Sequence, residues 1–216
     1  MSAPDFSLLA KRRFAPMFVV QFLGAFNDNV LKFAMLSLAT YTLFPQDPNH
    51  VALLGNIATG LFILPYFLFS AMAGQIADAW DKTRLIRIIK GAEIGIMGVG
   101  LIGFATHNIV LLMTALFLMG MHSTFFGPVK YSILPQHLHR NEIVGGTGLI
   151  EGGTFLAILG GQLLAVTGVL PAWECGLAAT GLAVVGFTAS WAIPSAPPAA
   201  PEIGRASCRE RVSTIV

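Results

Sequence analysis

Two charged side chains sit where hydrocarbon makes charge costly. The run VVQFLGAFNDNVLKFAML, Val19 to Leu36, is apolar except for a polar group around Asp28 and Lys32. A charge at the centre of a membrane helix costs about 2.5–3.5 kcal/mol on insertion scales, so such residues persist where they meet water or a partner. Asp28 and Lys32 are four residues apart and share one helix face, with the acid N-terminal to the base, the favourable order for an ion pair. Asn27 and Gln21 extend that polar face. Two readings stand: a self-neutralised pair that stabilises a bundle, or a cavity site for a polar headgroup or a coupling cation.

Two further ionic residues fall in apolar surroundings. Lys130 follows FFGP, where Pro128 removes a backbone donor and is expected to break or kink the helix. It is either an anchor on the positively charged side of a membrane or a phosphate-binding lysine, since an ammonium suits a phosphodiester as a point charge. Glu151 lies about two turns into its apolar segment. Either a lysine on a neighbouring helix neutralises it or it takes part in transport. Glu93 lies one turn from Lys90, and these two are expected to form a snorkelling pair near the membrane surface.

Such charges need elements that can hold them in lipid. Of the 216 residues, 55% are hydrophobic and 11% charged, against about 25% charged in soluble domains. The net charge of +2 is too small to indicate nucleic acid. Six apolar segments emerge, from about Phe14 to Phe44, Val51 to Ala77, Leu85 to Ala105, Ile109 to Phe126, Ile143 to Val169 and Cys175 to Ile193. Each is long enough to cross a bilayer as a helix, which satisfies its own backbone hydrogen bonds. PQDPNH, DAWDKTR, THN, the longer GPVKYSILPQHLHRNE and LPAWE separate them. The fold class is therefore all-α membrane protein.

Lys and Arg set the expected orientation. Lys11, Arg12 and Arg13 precede the first span, Lys82, Arg84, Arg87 and Lys90 follow the second, and Lys130 and Arg140 follow the fourth. The other three loops carry neither residue type. Positive residues stay on the cytoplasmic side, so a multi-pass inner-membrane protein with a cytoplasmic N-terminus is expected. The first apolar run is too long for a signal peptide core and no small-residue cleavage site follows it, so no cleavable signal is read.

Glycines recur at small-xxx-small spacing in GAEIGIMGVGLIG and GGTGLIEGG, which allows close helix approach and, on a second reading, sliding or rocking of helices. Cys175 and Cys208 match no metal or redox spacing. His137 and His139 have no evident third ligand, and the acid that completes an H-x4-D-like pattern with His137 is Glu142, in a loop between spans. No Walker lysine motif, nucleophile elbow or zinc signature appears, so no enzyme activity, metal or cofactor is expected of this chain. After IPSAPPAAP the character changes. Residues 202–216, EIGRASCRERVSTIV, resemble read-through translation of a common sequencing adapter, which would cut the natural chain near Pro201; a genuine basic tail is the other reading.

GQIADAWDKTR, between the second and third spans, resembles the loop signature of the major facilitator superfamily. Gly74, Asp78, Lys82 and Arg84 match its scheme, while Ala79 replaces the usual arginine and Asp81 the usual second glycine. QFLGAFNDNVLKFA, GPVKYSILPQ and GLIEGGTFLAILGG resemble the lysophospholipid transporter branch, above all the transporter domain of proteins that fuse it to a phospholipid acyltransferase. Lys32 stands where the stand-alone transporters are expected to be apolar. The resemblance implies a six-helix N-terminal bundle over residues 14–193, preceded by a cytoplasmic segment 1–13 and followed by a Pro/Ala-rich cytoplasmic segment 194–201. It implies a second bundle beyond this chain and alternating access around a midplane site. It implies a lipid substrate resembling lysophosphatidylethanolamine, with Asp28, Lys32, Lys130 and Glu151 as substrate-binding or coupling residues and the loop motif as a conformational element. A drug or metabolite exporter of the same fold, and a non-transporting anchor for a fused acyltransferase, are the alternatives.

Overall fold

A computed structural model describes residues 6–198. A short 3-10 turn, Phe6–Ala10, leads into six long helices: α1 (Ala15–Leu38), α2 (Pro48–Ala79), α3 (Lys82–Ala105), α4 (Ile109–His137), α5 (Ile143–Val166) and α6 (Ala172–Ser190). No strand occurs among the described residues. Local chemistry sets several of the starts. Prolines occupy the first turns of α1 and α2, where a missing N–H costs nothing. Asp47, Asp81 and Asn108 cap α2, α3 and α4 by accepting from free N–H groups of the first turn, at 2.9 Å from His50, 2.8 Å from Arg84 and 3.0 Å from Val110.

Among the described residues, five helices are long and apolar enough to cross a membrane by themselves: α2 to α6. The sequence reading had six. The exception is α1, because Gln21, Asn27, Asp28, Asn29 and Lys32 fall inside every stretch that could span. The helix with the polar face is thus the one that most needs neighbours. It packs against α5 and α6, while α2 packs on α4, and α3 on α4 and α6.

The fourth helix corrects another expectation. Pro128 neither ends nor interrupts α4, which continues through Pro128 and Pro135 to His137. Val129 and Ile133 are buried against Leu85 and Ile86 of α3 and Ala77 of α2, and Leu134 against Phe14 and Leu138. That packing holds the helix together past the lost donor, as membrane helices allow. The loop to α5 shrinks to residues 138–142, and Lys130 rides on the same helix as the central polar residues.

Glycines allow two of the closest approaches. A Cβ on Gly120 of α4 would lie 2.2 Å from the Phe62 carbonyl oxygen of α2, and one on Gly161 of α5 would lie 2.6 Å from that of Phe26 in α1. The outer surface is apolar, with Phe67 of α2 and Phe155 of α5 82% and 65% exposed. Such a surface suits lipid or another helical bundle. The tail segment 202–216 lies outside the described residues. At the near edge of the description, Pro194 and Ala196 accept from Thr83 Oγ1 and the Lys82 N–H at 2.7 and 2.9 Å, laying the chain after α6 over the start of α3.

Candidate functional site: a charged cavity between the first, second, fourth and fifth helices

A cavity of about 560 Å³ opens in the bundle. Helix α1 contributes Gln21, Asp28, Asn29 and Lys32, α2 contributes Phe62 and Tyr66, α4 contributes His122, Ser123, Lys130 and Tyr131, and α5 contributes Thr154 and Gln162. The polar face of α1 therefore turns inward. Gln21 donates to Thr154 at 2.8 Å and Gln162 to Asn29 at 3.4 Å, so α1 and α5 are tied by amide contacts along one wall.

Asp28 and Lys32 both line this space and do not form the self-neutralised ion pair that is one of the two readings of their spacing. Asp28 Oδ2 accepts from Ser123 of α4 at 2.8 Å, and its Oδ1 has no hydrogen-bond partner among the described residues. The Lys32 ammonium lies 5.1 Å from the Phe33 ring centroid and 6.0 Å from that of Phe62, within cation–π range. Sharing a helix face brought the two charges to one cavity. A cross-helix hydroxyl and two rings then claimed them separately.

Lys130 and Glu151 do pair. Lys130 Nζ lies 3.0 Å from Glu151 Oε1, and the Tyr131 hydroxyl donates to the same oxygen at 2.8 Å. Glu151 thus has a lysine partner on a neighbouring helix. Lys130 lines the cavity; Glu151 is outside its lining and touches it through Lys130. Asp28, Lys32 and Lys130 are thus brought to one space, with Glu151 beside it.

The pair Lys90 and Glu93 requires a larger correction. Their side chains are 1% and 0% exposed, so they do not snorkel to a surface. They form an ion pair in the bundle interior, joined by Asn27 of α1, which donates to Glu93 at 2.9 Å, and by His122 of α4, whose Nε2 lies 3.3 Å from Glu93 Oε2. The Lys90 stem fits because two glycines make room. A Cβ on Gly24 would come within 3.4 Å of its Nζ, and one on Gly186 within 3.0 Å of its Cε. A buried pair repays its desolvation only with additional hydrogen bonds; Asn27 supplies one and the Val20 carbonyl accepts from Lys90 at 3.4 Å. Lys90 and His122 also line the cavity, so the cluster is its inner wall. His122 was missed in the sequence, although a lone imidazole in an apolar run was its available signal.

The loop-motif residues sit elsewhere. Gly74 and Asp78 lie in the last two turns of α2, with Asp78 exposed. Lys82, at the start of α3, is 1% exposed, and Arg84 is exposed. None lines the cavity. At that loop end Arg13 grips Glu142 with both terminal nitrogens, at 2.8 and 2.7 Å, and also donates to the His137 carbonyl at 2.9 Å. The Glu142 carboxyl is held down at about 2, first by Arg13 and then by the His139 N–H, and Glu142 in turn raises Arg13.

No family model matches the chain. Named relatives do. It is 30% identical over 185 residues to the lysophospholipid transporter LplT of Cronobacter sakazakii, covering 86% of this chain and 43% of that protein. It is 33% identical over 177 residues to that of Salmonella schwarzengrund, covering 80% and 40%, and 31% identical over 203 residues to that of Serratia proteamaculans, covering 93% and 48%. The chain spans less than half the length of each of these relatives. With six helices, a charged interior and this similarity along most of its length, the chain is a relative of these lysophospholipid transporters.

Proposed function

We propose that the complete protein moves a lysophospholipid of the lysophosphatidylethanolamine type across the bacterial inner membrane by alternating access. This chain supplies one of two six-helix bundles, with both ends on the cytoplasmic side. The Lys and Arg residues at the loop end with the α2–α3 and α4–α5 connections support that orientation. The observation that carries the reading is the cavity of about 560 Å³ whose aromatic walls hold a carboxylate and, besides the Glu93-paired Lys90, the two ammonium groups of Lys32 and Lys130. A lysophosphatidylethanolamine headgroup has one ammonium and one phosphate. Asp28, with an unpartnered Oδ1, suits the ammonium. Lys32 and Lys130 suit the phosphate, and Lys130 would trade part of its contact with Glu151 for it.

On this reading Gly74, Asp78, Lys82 and Arg84 act at the loop end, where one bundle moves against the other, and no catalysis belongs to this chain. A phospholipid acyltransferase fused downstream is the enzymatic partner the reading implies; sequence beyond Pro201 with an H-x4-D segment after a second bundle would establish it.

The test is uptake of labelled lysophosphatidylethanolamine by cells producing the complete protein with Asp28→Asn. Losing a hydrogen bond to a charged group costs about 1.5–3 kcal/mol, so uptake at low substrate falls about tenfold or more. Unchanged uptake at equal expression would reject the headgroup assignment. Competition by unrelated drugs but not by lysolipid headgroups would favour an exporter instead.

A further inference from the structure

A second cavity of about 570 Å³ lies between the C-terminal half of α1 and the N-terminal half of α2. Its walls are largely apolar, built from Phe33 and Leu36 of α1, Val51 and Ala52 of α2, and Phe44 of the connection. The two helices come together at Gly55, where a Cβ would lie 3.5 Å from Leu36 Cδ1. One of the described residues lines both this slot and the charged cavity: Lys32.

That position is chemically specific. Lys32 forms no ion pair among the described residues, and the nearest groups given for its ammonium are the rings of Phe33 and Phe62. A cation in a membrane helix without a carboxylate partner is ready for an anion. On its one side is an apolar slot without acidic residues, and on its other side a polar cavity whose carboxylate, Asp28, sits one helical turn earlier. The order apolar, cation, carboxylate is the complement of a single-chain zwitterionic lipid, read acyl chain, phosphate, ammonium.

We propose that the slot between α1 and α2 holds the acyl chain of the transported lipid, with Lys32 on its phosphate and Asp28 on its amine. This rests on the lysophospholipid reading above and gives the chain a place that reading leaves open. Continuity through Lys32 decides for a lipid tail over a separate hydrophobic ligand, because such a ligand would gain nothing from the ammonium. The slot is also a natural origin of chain-length preference.

The experiment uses the complete protein in proteoliposomes and compares long-chain with short-chain lysophosphatidylethanolamine. Ala52 is exposed to the slot, so Ala52→Phe fills it without displacing packed neighbours. It is expected to raise the half-saturating concentration of the long-chain lipid about tenfold and to leave the short-chain value within about twofold. Lys32→Gln is expected to weaken both. Equal effects of Ala52→Phe on the two chain lengths, or none on either, would overturn the proposal. A lysolipid with a photoreactive group at the chain end gives a readout independent of any variant. Crosslinks within residues 33–59 support the slot, and crosslinks confined to other segments overturn it. A wild-type protein that takes up no lysolipid defeats the transport reading instead, while the crosslinking still decides where a chain lies.

Discussion

Lys130 and Glu151 join α4 to α5 across the edge of the charged cavity, with Nζ 3.0 Å from Oε1. One partner faces the cavity and the other does not, so the two ends of this bond carry different consequences. Exchanging the charges, Lys130→Glu with Glu151→Lys, restores an ion pair but puts the wrong sign into the cavity. Glu151 is 37% exposed but Lys130 only 10%, so each single change, which sets two like charges together with one of them buried, is expected to cost more than the ~1 kcal/mol of a surface pair, and the exchange to recover part of it. Uptake of lysophosphatidylethanolamine is expected to stay low in the exchanged protein. Recovery of uptake together with thermal stability would make the pair a tie between helices and remove Lys130 from the site.

The buried Glu93 is a stronger determinant of the fold. Glu93→Gln leaves the Lys90 ammonium in a fully buried position without its counterion, which costs about 3–5 kcal/mol. Replacing both, Lys90→Met with Glu93→Leu, removes the need for the pair and is expected to be far milder than the single change. Thermal unfolding of the complete protein in detergent checks this. A double variant as unstable as the single one would show that Asn27 and His122, more than the charges, hold the cluster.

What could be read from the residues follows from what lipid demands. Hydrocarbon requires runs of about 20 apolar residues, so the helices from Ala15 to Ser190 left clear marks. It also penalises isolated charge, so Asp28 and Lys130 stood out and do share a cavity. Helical spacing tells which residues share a face but not what faces them. Asp28 and Lys32 were on one face, yet Ser123, 95 positions away, took the carboxylate. Lys90 and Glu93 were placed near a surface because nothing local reveals that Gly24 and Gly186 clear a space for a lysine stem. Pro128 suggested a break that buried neighbours such as Val129 and Ile133 prevent.

The glycines divide sharply by what a methyl group would meet. At Gly120 the Cβ would collide with the Phe62 backbone carbonyl, 2.2 Å away, whereas at Gly148 of α5 it would meet nothing within 4 Å. Backbone cannot swing aside like a side chain end. Gly120→Ala is therefore expected to destabilise by about 1–3 kcal/mol through overpacking and to separate α2 from α4. Gly148→Ala is expected to be neutral or to stabilise by up to about 1 kcal/mol, since alanine is the better helix former. Parallel melts of the two variants decide it; equal melting temperatures would mean that α2 and α4 are not in close contact there.

The loop-end contact of Arg13 with Glu142 supplies a pH signature outside the spanning helices. The Glu142 carboxyl is lowered from 4.5 to about 2, chiefly by Arg13 and next by the His139 N–H. A carboxyl depressed in the folded protein stabilises it above its unfolded value and ceases to do so as pH falls through the folded value. The contribution is therefore whole at neutral pH and begins to decline as pH falls through 4.5, disappearing near 2. Glu142→Gln removes it at every pH. The melting-temperature difference between wild type and this variant is expected to hold steady from neutral pH to about 5 and to close on further acidification. It also shrinks with added salt, because the contact is partly exposed. A difference already gone at pH about 6 would mean that Arg13 does not hold this carboxylate.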